Sequence, residues 1–181
     1  MKTRQVTLCA CAIGTLGLLC SAAGAQTVWT GPDITFTKVD FADWTLEANQ
    51  DRITDNVWIT RADMRGIFNI NVEDEYAFPA NTSPADTEWA FGSAADWQDL
   101  TFTTWFSWFG MNPIGVLNVD AVVHLITDDV YIDITFLTWT VGPLGGGTGG
   151  GGFSYARSTI PAPSGLLLFV LCGLRPARRR R

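Results

Sequence analysis

Between its two ends the chain is a succession of short β-type runs bounded by Gly, Pro, Asn and Asp, and no stretch sustains the 3.6-residue apolar period of a helix. Candidate strands fall at 34–38, 56–61, 66–72, 88–92, 100–109, 116–125 with a break inside it, 130–140 and 152–159. Strands this short and this numerous in one domain-sized segment point to an all-β fold, a single antiparallel β-sandwich of jelly-roll type. Residues 51–55 and 73–84 read as loops, the second carrying Pro79, Asn81, Ser83 and Pro84 as breakers. Helix is limited to a turn or two near 41–49 or 94–98.

One hairpin is specified in detail. A two-residue turn at Asp128-Asp129 sets Leu125 opposite Ile132, Val123 opposite Ile134 and Ala121 opposite Phe136 on a core face. The other face then pairs Ile126 with Tyr131, Val122 with Thr135, and His124, the only histidine, with Asp133. Residues 142–152 hold eight glycines, interrupted by Pro143, Leu144 and Thr148. Such a run is expected to stay unpacked and mobile between two strands. No lysine or helix start follows it, so a phosphate cradle is not indicated.

All four cysteines, Cys9, Cys11, Cys20 and Cys172, lie outside residues 26–160, so the central domain has no disulfide framework and, with one histidine, no usual zinc site. Within 26–160 the 18 acidic residues face only Lys38, Arg52, Arg61, Arg65 and Arg157, a balance of −13. That field repels nucleic acid and anionic lipid and draws cations. No cofactor is otherwise indicated, and calcium stays open at three carboxylate groups: Asp51 with Asp55, Glu73-Asp74-Glu75, and Asp128-Asp129. None matches the twelve-residue Asp-x-Asp-x-Asp-Gly loop.

Eight tryptophans, Trp29, Trp44, Trp58, Trp89, Trp97, Trp105, Trp108 and Trp139, occupy the domain. They suit a disulfide-free core in which each large ring buries about 150–250 Å², or else a stacking surface for sugar rings. No catalytic residue is assigned: His124 with Asp133 and Ser107 or Ser154 would make a triad, but no nucleophile-elbow pattern supports it. Carboxylate pairs for glycoside hydrolysis cannot be chosen among 18 acids.

The ends carry addresses. Lys2 and Arg4 precede an apolar run at 6–19, and Ala23-Gly24-Ala25 offers a peptidase its small residues before Gln26. The expected division is a signal peptide at 1–25, a β-sandwich at 26–160 and a sorting tail at 161–181. The tail runs Pro161-Ala162-Pro163-Ser164-Gly165, an apolar stretch at 166–174, then Arg178, Arg179, Arg180 and Arg181. Its apolar stretch spans about 14 Å as helix against roughly 30 Å of hydrocarbon, which suits a transient, processed segment better than a permanent span.

This order of Pro-rich start, apolar stretch and arginine cluster resembles the PEP-CTERM class of exosortase-sorted bacterial proteins, with Ala162 where the class usually has Glu. The resemblance implies a Gram-negative cell with an exopolysaccharide-linked envelope, export and sorting machinery as partners, and membrane contact only through the tail before processing. The middle is similar to an uncharacterised family of secreted bacterial domains. The stretches that carry this likeness are Asn49-Gln50-Asp51-Arg52-Ile53-Thr54-Asp55-Asn56-Val57-Trp58, Ser83-Pro84-Ala85-Asp86-Thr87-Glu88-Trp89-Ala90, His124-Leu125-Ile126-Thr127-Asp128-Asp129-Val130-Tyr131-Ile132-Asp133 and Gly151-Gly152-Phe153-Ser154-Tyr155. It carries no catalytic role.

The expected function is therefore that of an exported cell-envelope or extracellular-matrix protein of structural or adhesive type, without catalysis, whose partners include exopolysaccharide or other envelope proteins. A carbohydrate-binding module, with calcium as an optional ligand, is the alternative, and a glycan-acting hydrolase the third reading.

Overall fold

The computed structural model describes residues 27–78 and 82–161. The export segment, including Ala23 and Ala25, and tail residues Pro163, Arg178, Arg179, Arg180 and Arg181 lie outside the described residues, as do Pro79 and Asn81; Pro161 is the last one inside. The strands are β1 (Thr27–Trp29), β2 (Gly31–Lys38), β3 (Asp51–Arg52), β4 (Trp58–Arg61), β5 (Ile67–Asn69), β6 (Thr87–Phe91), β7 (Ala121–Leu125), β8 (Val130–Trp139) and β9 (Phe153–Thr159), with one short α-helix among the described residues, α1 (Trp105–Phe109), and a few 3-10 turns.

They form two sheets, as an all-β sandwich requires. The larger runs β2-β9-β8-β7-β6, with β1 lying parallel against the first half of β8, and the smaller runs β3-β4-β5. One apolar core lies between them: Ile53, Val57, Ile59, Ile67 and Phe68 of the small-sheet region meet Val123, Leu125, Ile132, Ile134, Phe136 and Tyr155 of the large sheet. The opposite face of β7 and β8 is covered too. Val122 and Tyr131 pack with Ala94, Trp97, Leu100 and Phe102, so every residue of β7 is buried. A strand covered on both faces reads as a near-continuous apolar run, and Ala121-Val122-Val123-His124-Leu125 is one, interrupted only by His124.

The hairpin turn is four residues long instead of two, which moves the pairing by two positions. Leu125 faces Val130, Val123 faces Ile132, Ala121 faces Ile134, and His124 faces Tyr131, not Asp133. A shift by an even number keeps each side chain on its expected face, so Ala121, Val123, Leu125, Ile132, Ile134 and Phe136 all remain core residues. The register is pinned from outside the hairpin. Asp86, at φ 66°, accepts from the Thr127 amide at 3.0 Å and its hydroxyl at 2.8 Å, and Asp128 accepts from Thr54 Oγ1 at 2.6 Å and Asn56 Nδ2 at 2.8 Å.

The candidate strand at 100–109 is a second correction. Only Thr103 pairs, with Trp89, through reciprocal amide bonds of 2.8 and 2.9 Å. The chain then enters α1: Thr104 Oγ1 accepts from the Ser107 amide as N-cap, and Gly110, at φ 59°, ends the helix. Local capping overrides the β preference of a Trp/Phe-rich segment, and the helical spacing turns Trp105 and Trp108 together into the core. A third correction is Asp51-Arg52, read as loop, which pairs with Ile59 and Trp58 to start the small sheet.

The glycine-rich segment is the fourth, because it packs. Asp40 Oδ1 accepts from the Gly150 amide at 2.7 Å, the Gly152 amide at 2.8 Å and Thr140 Oγ1 at 2.7 Å, and Gly150, Gly151 and Gly152 are all buried. A Cβ on Gly151, at φ 79°, would meet the Ala62 carbonyl oxygen at 2.0 Å, and one on Gly150 would meet the Phe41 ring at 2.4 Å. These glycines permit contact rather than motion.

A buried ion pair joins the two sheets. Arg157 of β9 holds Asp51 of β3 with Nε donating to Oδ2 at 2.6 Å and Nη2 to Oδ1 at 2.8 Å, while the Tyr155 hydroxyl donates to Oδ2 at 2.7 Å. Burial, reinforced by the charge of Asp51, raises the Tyr155 pKa well above its ordinary value, so the phenol stays a donor. Arg157→Leu leaves Asp51 buried without its countercharge and is expected to cost about 3–5 kcal/mol in denaturant unfolding, whereas adding Asp51→Leu to it returns part of that loss. Gly151→Ala is expected to lower stability by well over about 2 kcal/mol, while Gly146→Ala, at φ 82° with nothing within 4 Å of the new Cβ, costs about 1 kcal/mol in the same measurement.

Candidate functional site

A concavity of about 510 Å³ opens where the turn after β4, α1, the turn at 111–114 and the start of the glycine segment converge. Gly66 makes the floor possible: a Cβ there would fall 2.6 Å from the Trp105 ring and 2.7 Å from that of Tyr76. Trp105 stacks obliquely on Phe109 at 4.2 Å and on Trp139 at 5.7 Å, and meets Tyr76 edge-on at 6.1 Å. Around this aromatic floor stand Met64, Phe78, Met111, Ile114 and Leu144, all exposed, with Met111 at 73% and Leu144 at 72%. Large apolar side chains are thus gathered at the mouth of one hollow.

Two cations line it. Arg61, only 2% exposed, has its guanidinium 3.7 Å from the centroid of the Trp139 ring and donates to three backbone carbonyls: Arg65 at 2.8 Å, Gly152 at 2.9 Å and Thr140 at 3.1 Å. Burial brings its pKa down to about 10, partly opposed by Asp40, so it remains a cation at neutral pH. Arg65, exposed and at φ 73°, lies 4.2 Å over the ring of Phe78. Neither arginine has a carboxylate within ion-pair distance among the described residues. No Asp, Glu or His lines the cleft, although all 18 acidic residues are described.

The tryptophans serve the core first: Trp29, Trp89, Trp105 and Trp108 are buried, and the other four are half-buried. The indole N–H groups of Trp105 and Trp108 are buried and find no acceptor among the described residues. The histidine is flanked by acids, with Nδ1 2.8 Å from Glu88 Oε1 and Nε2 3.4 Å from Asp129 Oδ1, and its ring stacks on Tyr131 at 4.1 Å. The Asp133 carboxylate instead accepts from the Ala94 amide at 2.6 Å. Ser154 shares a hydrogen bond with Thr138, and Ser107 bonds Thr104, so the triad weighed from sequence is not brought together.

The calcium candidates are dispersed. Asp51 is spent on Arg157 and Tyr155, Asp128 on Thr54 and Asn56, and Glu73 Oε2 accepts from the amides of Asn69 at 2.7 Å and Ala85 at 2.8 Å. Asp129 sits by His124, while Asp55, Asp74 and Glu75 are exposed. No three His, Cys, Asp or Glu side chains converge among the described residues.

Sequence reasoning named Trp105 and Trp139 without joining them, and passed over Arg61, Arg65 and Tyr76 as site residues. A signal was present: two of five domain cations fall within five positions of one another.

Behind the cleft, Asp40 anchors the glycine segment that carries one of the Arg61 acceptors, the Gly152 carbonyl, and also binds Thr140, whose carbonyl is another. Hydrogen bonds, first from Thr140 and then from Gly152 and Gly150, hold its carboxyl below the usual carboxylate range. A group with a depressed folded pKa contributes stability above its unfolded value, about pH 4, and loses it as pH falls through the folded one. Thermal melts from pH 6 to pH 2.5 are therefore expected to show the wild-type advantage over Asp40→Asn narrowing as acid is added.

No protein-family model, curated protein or solved structure matches the chain.

Proposed function

We propose that the chain is an exported, non-catalytic protein of the cell envelope or extracellular matrix that works by adhesion, with the aromatic cleft as the place where it holds its partner. The observation that carries this is the lining of the cleft: an apolar rim over an aromatic floor with two arginines and no acid, base or nucleophile pair. Acid/base chemistry needs titratable groups facing the substrate, and glycoside hydrolysis needs two carboxylates across a gap. A cleft lined this way is suited to holding. A sugar-stacking platform is less favoured, since one face of Trp139 is taken by Arg61 and Trp105 is 2% exposed. The two terminal address segments supply the destination.

The test is retention on purified envelope material. Met111→Asp with Leu144→Asp places charge on the rim at two exposed positions that the core does not use. Retention is expected to fall about tenfold while the far-ultraviolet circular dichroism stays that of the wild type. Equal retention of wild type and variant would remove the cleft from the function.

A further inference from the structure

Resting on the reading of the cleft as the partner site, we propose that it binds an apolar carboxylate, an acyl chain lying on the aromatic floor with its acid group at Arg65 and in the field of Arg61. Charge complementarity selects this occupant. The domain carries −13 overall, yet its cleft is lined by two of its five cations and by none of its 18 acids. Among the other cations, Arg157 is neutralised by Asp51 at 2.6 Å, Arg52 pairs with Glu47 at 3.1 Å, and Lys38 is 1% exposed beneath the Gly151 carbonyl. Arg65, at the cleft, is thus the one exposed cation among the described residues with no carboxylate within ion-pair distance.

The two arginines divide the work. Arg61 is fixed on three carbonyls and the Trp139 face, so it contributes a rigid positive field that costs no reorganisation when a ligand arrives. Arg65 is exposed on the Phe78 ring and offers the guanidinium fork that a carboxylate engages through two hydrogen bonds. The body of the ligand is chosen by the rim. Met64, Met111, Ile114 and Leu144 are aliphatic or thioether groups that fit a flexible methylene chain, and Met adapts to its shape. A sugar acid would leave many hydroxyls facing these groups without partners, at a cost for each. The volume, about 510 Å³, lies in the range of small-molecule clefts.

The test titrates the full chain with dodecanoate below its micellar concentration, following tryptophan fluorescence and calorimetry, with dodecan-1-ol and tri-galacturonate as comparison probes. Dodecanoate is expected to bind about tenfold or more tightly than the alcohol, and added salt to weaken the acid alone. Arg65→Gly removes the accessible charge at a position whose φ of 73° suits glycine, so folding is kept. It should bring the acid down about tenfold, to the level of the alcohol. Equal binding of acid and alcohol, unchanged by Arg65→Gly, would overturn the anion assignment while leaving an apolar cleft. Binding of tri-galacturonate with silence from dodecanoate would overturn the acyl assignment. Silence from all three, while envelope retention still depends on the Met111 and Leu144 rim, would overturn this inference and leave the adhesive reading standing.

Discussion

The two sheets are held in one relative position by the buried contact of Asp51 with Arg157 and Tyr155. An apolar interface resists separation, but the hydrophobic effect has no direction and does not by itself prevent sliding. A carboxylate whose two oxygens are both held along one edge of a guanidinium has one geometry. The two-residue strand β3 is long enough to deliver that carboxylate and little else. With β3 located, β4 and β5 follow in register, and the end of β4 carries Arg61 to the mouth of the cleft.

From there the construction of the site passes to backbone contacts. Arg61 reaches the Gly152 and Thr140 carbonyls only because the glycine segment lies against 61–63 without side chains of its own, and Asp40 holds that segment from the other side. Arg61 is thus positioned by main-chain oxygens, with no carboxylate within ion-pair distance. The neighbouring turn exposes Arg65 in a left-handed conformation, and the ring of Phe78 keeps its guanidinium close to the opening.

Much of the architecture was legible from residue order. The apolar alternation in β7 and β8 identified Ala121, Val123, Leu125, Ile132, Ile134 and Phe136 as core, and a turn-length error of two residues left that assignment intact because side chains repeat every second position. The pairing of His124 was lost in the same error, since opposition across a ladder depends on the exact register. Trp105, Trp108 and Phe109 were read as strand because five residues are too few to display a helical period, and the deciding signals, Thr104 as cap and Gly110 as stop, are single residues. The glycine run was read through its freedom alone, whereas its role depends on what approaches from elsewhere in the chain: Ala62, Phe41 and Asp40. The cleft has the same character. Its lining comes from separate segments between Arg61 and Gly145, and no local pattern announces their meeting.

The placement of β1 and β2 has a temporal meaning. They belong to the first described segment of the chain, yet β1 lies on β8 and β2 lies on β9, with Gly31 beside Thr159. Their partners, β8 and β9, are the last two strands among the described residues, so the sheet cannot close until β9 has been made. Pairings this distant in sequence slow folding. Until β9 has been made, β2 has no ladder partner, so the early strands of the growing chain wait unpaired and the large sheet is completed last along this edge.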